Sequence, residues 1–214
     1  EMWLRGDFLV PYLNGVPYSH KPPLLFWLFH LGWWMFGVNE WWPRLVPSLF
    51  ALGSVLLTAR IAAMLWPELP VVARTAPVIL LGTLLWAVFT TLVFFDMLVA
   101  FFTLLGIWGV LRAWQGKTRQ GWLLTGFALG LGVLAKGPMV LLPVMSVAAL
   151  APWWTGTQPR DWKSWYAGMG AALLLGAAFG VAWAVPAALS GGRDYAHDIL
   201  WGQVAGRVVE SFAH

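Results

Sequence analysis

Residues 75–111 read TAPVILLGTLLWAVFTTLVFFDMLVAFFTLLGIWGVL, and Asp96 is the only charged residue among them. A helix needs about 20 predominantly apolar residues to cross a bilayer. The run is therefore too long for one crossing and close to the length of two. The single carboxylate then marks the turn between two spanning helices, and the chain is predicted to be an integral membrane protein.

The composition of the whole chain supports this class. Hydrophobic residues make up 60% of the 214 residues and charged residues 10%, whereas about 25% of an ordinary soluble domain is charged. The sequence contains no cysteine, which excludes a disulfide framework and a thiolate metal site. The chain has few charged residues in total. Its small excess of basic residues is therefore better explained by the positive-inside rule of membrane orientation than by a nucleic-acid-binding surface. We expect membrane lipids, and no nucleic acid, among its partners.

Three further apolar runs predict the rest of an all-α, multi-span helical bundle. One crossing is expected in 46–66, two in 122–154 and one in 165–189. The second of these runs is interrupted only by Lys136, and the following Gly137 and Pro138 are expected to end one helix and begin the next. Glycines in the GFALGLG stretch are expected to permit close packing of helices.

Basic residues outside these runs predict the orientation. They fall in three loops, at residue 74, at 112–119 and at 160–163, which the positive-inside rule places in the cytoplasm. The turns at Asp96 and Lys136 then face the exterior. Residues 22–38 form a shorter, aromatic-rich run that either crosses the bilayer or lies in its interface. We favour the interfacial helix, which places Lys21 outside with the other two charges.

Four charged residues would collect on that external side: Lys21, Asp96, Lys136 and Arg207. Ionisable groups at membrane depth usually mark functional sites, and cations there suit a phosphate head group. A simpler interpretation stays open for two of them. Asp96 could be a turn residue at the water boundary, and Lys136 a snorkelling cation favoured by the helix dipole.

The ordered motifs resemble the membrane domain of polyprenyl-phosphate-dependent glycosyltransferases, the group that includes lipid A aminoarabinose transferases and protein O-mannosyltransferases. The stretches that carry the resemblance are EMWLRGDFLVPYLNGVPYSHKPPLLFW (1–27), NEWWPRLVPSLFALGS (39–54), FFDMLVAFF (94–102), GLGVLAKGPMVLLP (130–143) and ILWGQVAGR (199–207). The resemblance implies a GT-C fold with an interfacial helix in the first external loop. It also implies inverting transfer of a sugar from a polyprenyl phosphate to a hydroxyl or phosphate of a glycolipid or protein, on the extracytoplasmic side of a bacterial inner membrane.

The resemblance also implies roles for individual residues. Tyr18, Lys21 and Arg207 would bind the lipid phosphate of the donor. The catalytic residues within the chain would be Asp96, the second functional carboxylate of the family, and Lys136, the lysine of its K-G motif.

Two features depart from the family pattern. His20 stands where close relatives often have Glu, so a metal role at that position is open; His20 and His197 are the residues that could hold a divalent metal, although their separation shows no ligand spacing. The catalytic Asp of an Asp-Glu pair is expected upstream of Glu1. Residues 1–214 are thus expected to be a partial transmembrane domain that lacks the first span, the upstream catalytic loop and a C-terminal part, and to be inactive alone.

Two other functions compete with this interpretation. A secondary transporter or lipid flippase also buries charged residues among helices, but the sequence shows no inverted repeat and its charges gather on one face. A non-catalytic membrane partner descended from such enzymes is the second alternative. Sugar transfer from a labelled polyprenyl phosphate would distinguish the enzyme from both.

Overall fold

The computed structural model describes residues 1–156 and 161–199. Within them the chain is a bundle of α-helices with a 3₁₀ helix at Pro138–Val140 and one small β-hairpin. In chain order the helices are α1 (Met2–Arg5), α2 (Leu24–Phe36), α3 (Trp41–Leu65), α4 (Pro70–Leu81), α5 (Leu84–Thr91), α6 (Asp96–Trp114), α7 (Thr118–Lys136), α8 (Leu141–Ala149), α9 (Ala151–Trp154), α10 (Trp162–Gly191) and α11 (Arg193–His197).

Helices α6 and α7 form an antiparallel hairpin at the centre of the bundle. Their backbones approach so closely that a Cβ atom at Gly121 would overlap the backbone nitrogen of Ala113 and the carbonyl oxygen of Gly109. The hydroxyl of Thr125, which is fully buried, donates to the carbonyl of Gly121 at 3.0 Å and to that of Gly106 at 3.3 Å. The predicted role of the GFALGLG glycines in close helix packing is also confirmed, because a Cβ atom at Gly126 or Gly130 would overlap atoms of α10.

The core lies where α8 and α10 cover this hairpin. Val144 of α8 is fully buried and packs against Gly106, while Val140 packs against Gly132 of α7. Gly176 of α10 leaves room for the side chain of Leu129. Close van der Waals packing of this kind drives the association of helices in a membrane, so the α6–α7 hairpin with α8 and α10 packed on it is the frame of the molecule.

The two turns predicted from single charged residues are confirmed. Helix α6 begins at Asp96 and α7 ends at Lys136. Gly137 follows with a φ of 84°, a left-handed conformation that favours glycine, and the 3₁₀ helix begins at Pro138. Glycine and proline thus end one helix and begin the next, as their backbone preferences predict.

The predicted number of crossings is not reproduced. Three helices of the described residues are long and apolar enough to cross a membrane, namely α3, α6 and α10. The run from residue 75 to Asp96 was expected to be one span, but it forms two helices, α4 and α5, that are bent by 63° at a short break. Residues 138–149 form only a short apolar segment. Counting the bent pair as one span raises the number of crossings to four.

The bent pair also changes the interpretation of Arg74. This residue was expected in a cytoplasmic loop, but it lies inside α4, because Pro70 is well suited to the first turn of a helix and starts α4 earlier. A bent pair is either a broken span or a re-entrant loop. The even number of crossings between the basic loops is therefore not established, and the side on which each charge lies stays a prediction.

Helix α2 is too short to span a bilayer. Its 13 residues extend about 20 Å at 1.5 Å per residue, whereas the hydrocarbon core is about 30 Å thick. Residues 22–38 therefore do not form a membrane-length helix. The predicted location of α2 in the interface remains a prediction.

The first loop contains a β-hairpin that the sequence interpretation missed. Strands β1 (Tyr12–Leu13) and β2 (Val16–Pro17) pair antiparallel. They are joined by Asn14 and Gly15, with φ angles of 52° and 83°, which is the Asn-Gly turn preferred by two-residue hairpins. The Asn-Gly pair in the sequence is a direct signal for this turn.

A tryptophan cluster lies at the end of the α6–α7 hairpin that is farther from Asp96. Its members are Trp114, Trp122, Trp154, Trp162 and Trp165. Trp165 is 2% exposed and donates its indole N–H to the carbonyl of Ala148 at 3.0 Å. The cluster joins α6, α7, α9 and α10, so it holds these four helices together at this end of the bundle.

Candidate phosphate site at one end of the central hairpin

An ion pair lies at the other end of the hairpin. The Lys136 Nζ atom donates to the Asp96 Oδ1 atom at 2.6 Å. The two residues meet because Asp96 is the first residue of α6 and Lys136 is the last residue of the antiparallel α7. Each charge also has the sign that its helix end favours. The Asp96 side chain is 40% exposed and that of Lys136 20%, so the pair is accessible from outside the bundle.

Lys21 lies against the residue that precedes Asp96 of this ion pair. Its Nζ atom is 5.7 Å from the centroid of the Phe95 ring, and Phe95 immediately precedes Asp96. The Phe95 ring also contacts the ring of Phe26 from α2, with centroids 5.8 Å apart. These contacts hold the start of α2 against the start of α6.

We call Lys21, Asp96 and Lys136 the charged cluster. Three segments far apart in sequence bring these residues to one end of the bundle. Two ammonium groups beside one carboxylate leave a net positive charge, which favours an anion such as a phosphate. The carboxylate supplies a group that can accept a proton or a hydrogen bond. The cluster therefore has the groups to bind an anion and, at the same place, to accept a hydrogen bond or a proton from a hydroxyl group.

Tyr18 and His20 lie beside Lys21 in the chain and contact each other, with ring centroids 5.4 Å apart. Tyr18 is half-buried, and its backbone N–H donates to the carbonyl of Pro11 at 2.7 Å. The part of the chain that the structure describes contains no group of three His, Cys, Asp or Glu side chains that could hold a metal ion. A metal role for His20 or His197 stays a prediction.

Arg207 lies outside the described residues. The segment that precedes it is nevertheless joined to the first loop, because the Ser19 hydroxyl donates to the Asp198 Oδ2 atom at 3.3 Å. Ser19 is close to Lys21 in sequence, and Asp198 leads towards Arg207. This hydrogen bond connects the first loop to the residue that follows α11.

Sequence reasoning missed the groups that fix the first loop. The Asp7 Oδ1 atom accepts hydrogen bonds from the backbone N–H groups of Leu9 at 2.9 Å and Val10 at 3.3 Å. Its Oδ2 atom accepts a hydrogen bond from the Tyr12 hydroxyl at 3.2 Å. An aspartate that binds backbone amides two and three residues ahead forms a recognised turn. The Gly6-Asp7 pair in the sequence was a signal for this turn.

Burial gives Tyr195 an unusual pKa beside this turn. The side chain is 4% exposed, and burial is the main cause that raises its pKa to about 12, with further contributions from Asp7 and Tyr12. The phenol therefore stays neutral at physiological pH. It packs beneath the loop as an apolar ring and carries no charge to the site.

The fold and the charged cluster define a helical membrane protein with charged residues gathered at one end of its central hairpin. The chain belongs to the dolichyl-phosphate-mannose-protein mannosyltransferase family, whose model matches residues 20–183. The family resemblance predicted from the motifs is confirmed.

Similar proteins include two undecaprenyl phosphate-alpha-4-amino-4-deoxy-L-arabinose arabinosyl transferases. The one from Erwinia tasmaniensis is 31% identical over 158 residues, which cover 72% of this chain and 28% of the relative. The one from Pseudomonas aeruginosa is 32% identical over 187 residues, which cover 82% of this chain and 32% of the relative. The chain thus spans about a third or less of these relatives.

The fold is that of ArnT from Cupriavidus metallidurans. The crystal structure bound to undecaprenyl phosphate matches with a TM-score of 0.75 at 20% identity, covering 95% of this chain and 37% of that one. The apo structure matches with a TM-score of 0.74 at 21% identity, covering 94% and 37%. These matches confirm the predicted GT-C-type helical fold. With the membrane-length helices and bacterial relatives, they support a multi-pass protein of a bacterial inner membrane.

Proposed function

We propose that the chain forms the donor-phosphate side of a membrane glycosyltransferase site, which moves a sugar from a polyprenyl phosphate to a glycolipid or protein acceptor. The observation that carries the proposal is that Lys21 lies over the ring of Phe95, the residue before Asp96 of the Asp96–Lys136 ion pair. The relatives named as undecaprenyl phosphate aminoarabinose arabinosyl transferases support a polyprenyl phosphate donor.

The proposed role of the cations follows from the bond that breaks. When the acceptor oxygen attacks the anomeric carbon, the bond between that carbon and the phosphate oxygen breaks, and its electron pair leaves with the polyprenyl phosphate. Negative charge on the phosphate therefore grows towards the transition state. In this proposal Tyr18, Lys21 and Arg207 bind the phosphate of the donor and continue to stabilise it as this charge grows.

Asp96 acts on the acceptor in this proposal. Its carboxylate accepts a hydrogen bond from the acceptor hydroxyl and helps to remove its proton. Lys136 holds one carboxylate oxygen at 2.6 Å, which fixes the direction of the other oxygen. An exposed fraction of 40% for the Asp96 side chain leaves room for the acceptor to approach.

A transfer assay on the complete protein in liposomes tests the function. The donor carries a radiolabelled sugar on a polyprenyl phosphate, and we expect label on a lipid A-like acceptor together with free polyprenyl phosphate. Lys21→Ala should reduce the rate about tenfold. Lys117→Ala is the matched control, because Lys117 is an exposed lysine at the far end of the hairpin, and it should leave the rate unchanged.

The same assay separates the proposal from the transporter alternative. A transporter or flippase would move the labelled donor across the bilayer with its sugar–phosphate bond intact. Intact donor in the opposite leaflet, without labelled acceptor, would therefore refute the glycosyltransferase.

We further propose that the charged cluster faces the extracytoplasmic side. The basic residues of the turn between α6 and α7 lie at the opposite end of the hairpin, and the positive-inside rule favours the cytoplasm for them. In a protein carrying Lys21→Cys, an impermeant thiol reagent should label intact cells, whereas Lys117→Cys should react only after lysis. The reverse pattern would invert the orientation.

A further inference from the structure

Asp7 lies in the first loop, away from the charged cluster, and every contact of its carboxylate described above is made within that loop. Its two oxygens accept hydrogen bonds from Leu9, Val10 and Tyr12. We propose that Asp7 is a positioning residue that sets the location of Lys21 by folding the first loop. The inference rests on the proposed function, because it concerns how the donor-phosphate ligand is held.

The turn that Asp7 forms presents two carbonyl groups to two different helices. The indole N–H of Trp27 in α2 donates to the carbonyl of Phe8 at 2.6 Å. The indole N–H of Trp183 in α10 donates to the carbonyl of Leu9 at 3.0 Å. A loop fixed in this way is aligned with both helices at once, and it keeps that alignment only while the Asp7 turn is formed.

The residue after this turn anchors the loop in an apolar pocket. Val10 is fully buried and packs with Ala187 of α10, Tyr195 of α11 and Ile199. The hydrogen bond that the Val10 N–H donates to the Asp7 carboxylate fixes the backbone from which this side chain points inward. Loss of the turn would therefore release the loop from α10 and α11.

The path from the turn to Lys21 is short and stiff. The β-hairpin returns the chain, and the Tyr18 N–H donates to the carbonyl of Pro11 at 2.7 Å. The Ser19 hydroxyl then binds Asp198. The two prolines that follow Lys21 restrict the backbone on its other side. A change in the Asp7 turn is thus passed along the loop to the ammonium group of Lys21.

The experiment compares Asp7→Ala with Asp7→Asn in the complete protein. Asparagine retains an oxygen that accepts from both backbone N–H groups, so it should keep the turn. We expect Asp7→Ala to raise the KM for the polyprenyl phosphate donor about tenfold with kcat changed less than about threefold, as a displaced phosphate ligand would. Asp7→Asn should restore most of the donor affinity.

Asp161→Ala is a matched control for loss of a turn. The Asp161 carboxylate accepts from the N–H groups of Lys163 at 3.1 Å and Ser164 at 3.3 Å, which is the same pattern of bonds as at Asp7. It lies at the tryptophan-cluster end of the bundle. Its substitution should lower thermal stability and leave the donor KM unchanged.

Several outcomes would overturn the inference. These are an equal rise in KM for Asp161→Ala, an Asp7→Ala variant with an unchanged KM, or an Asp7→Asn variant as impaired as Asp7→Ala. If Asp7→Ala does not fold, Tyr12→Phe removes only the hydroxyl bond to Asp7 and should raise the KM about two- to threefold. An unchanged KM in Tyr12→Phe would then refute the inference.

A further variant distinguishes this inference from the proposed function. If Lys21→Ala has a wild-type donor KM, the proposed phosphate site is wrong, whatever Asp7 does. If Lys21→Ala raises the KM and Asp7→Ala does not, only the positioning role fails. If Lys21→Ala and Asp7→Ala each raise the donor KM, combining them should raise it little further, because the two changes disable one interaction.

Discussion

The two ends of the α6–α7 hairpin are built from opposite chemistry. At one end Asp96 and Lys136 form an ion pair at 2.6 Å with Lys21 close by. At the other end the tryptophan cluster packs ring against ring, with Trp122 and Trp165 centroids 4.8 Å apart. The same two helices therefore carry charge at one end and buried aromatic surface at the other.

This difference indicates what each end does. A partly exposed ion pair contributes about 0–1 kcal/mol to stability, whereas a buried aromatic pair contributes about 0.5–1.5 kcal/mol beyond the burial of its area. The charged end is therefore an inefficient way to hold two helices together. Its charges are better explained by binding and chemistry, and the tryptophan end by packing.

The largest effect is expected from Asp96→Asn. The neutral amide has nearly the same shape and still accepts from Lys136, so the fold should persist, but a group that removes a proton is lost. We expect kcat for sugar transfer to fall about 100-fold or more with an unchanged melting temperature. Kinetics on the complete protein together with thermal unfolding measure both quantities.

Glu40→Gln is the control for this prediction, because Glu40 forms an exposed ion pair with Arg44 at 3.7 Å. It should change neither quantity. If Asp96→Asn had a wild-type kcat, like the control, Asp96 would be a turn residue only. The proposed contrast between the two ends of the hairpin would then disappear.

The next largest effect concerns the frame that joins the two ends. A methyl group at Gly121 would collide with the backbone of α6, so Gly121→Ala should destabilise the protein by about 1–3 kcal/mol. Denaturant or thermal unfolding measures this loss. Gly170→Ala in α10 is the control, since a Cβ atom there meets nothing within 4 Å, and an equal loss in both variants would contradict the close packing of α6 on α7.

A double-mutant cycle sharpens the assignment of the charged end. Lys21→Ala and Arg207→Ala should each reduce donor-dependent turnover about tenfold, since a charge-assisted hydrogen bond contributes roughly 1.5–3 kcal/mol. The combined loss should be non-additive if both cations bind one phosphate. Strictly additive losses would indicate two separate sites. Arg207→Lys should restore turnover only in part, because a point charge does not reproduce the planar guanidinium fork.

The smallest effect is expected from Trp165→Phe at the tryptophan cluster. The change keeps most of the aromatic packing and removes the hydrogen bond to Ala148, so the free energy of unfolding should fall by about 1 kcal/mol. The donor KM should stay at the wild-type value. A raised KM would show that this end also acts on the substrate.

Local signals in the sequence were sufficient for the helix ends of the hairpin. Asp96 interrupts an apolar run, and Lys136 is followed by Gly137 and Pro138, whose backbone preferences end a helix and begin the next. Both turns lie where the sequence predicts them. The family motifs likewise predicted the fold that the structural matches confirm.

Other features could not be predicted, because they depend on contacts between distant residues. The 63° bend between α4 and α5 falls at Gly82 and Thr83; the glycine indicates a break in the helix, but not the angle between the two helices. The hydrogen bond from Trp183 to Leu9 joins the last long helix to the first loop. A tryptophan in an apolar run is equally suited to facing lipid, and only its neighbours in space decide its partner.

The sequence by itself determined that this chain is a membrane-embedded helical protein with a few charged residues at the ends of its helices. Burial of apolar area and the backbone preferences of glycine and proline are local properties, and they can be read one segment at a time. The sequence also predicted that Lys21, Asp96 and Lys136 lie on one side, but only the tertiary structure decided which atoms meet there. The Lys136 ammonium reaches the Asp96 carboxylate across the hairpin, and Phe26 of α2 contacts Phe95, over whose ring Lys21 lies; these are contacts that no single segment contains.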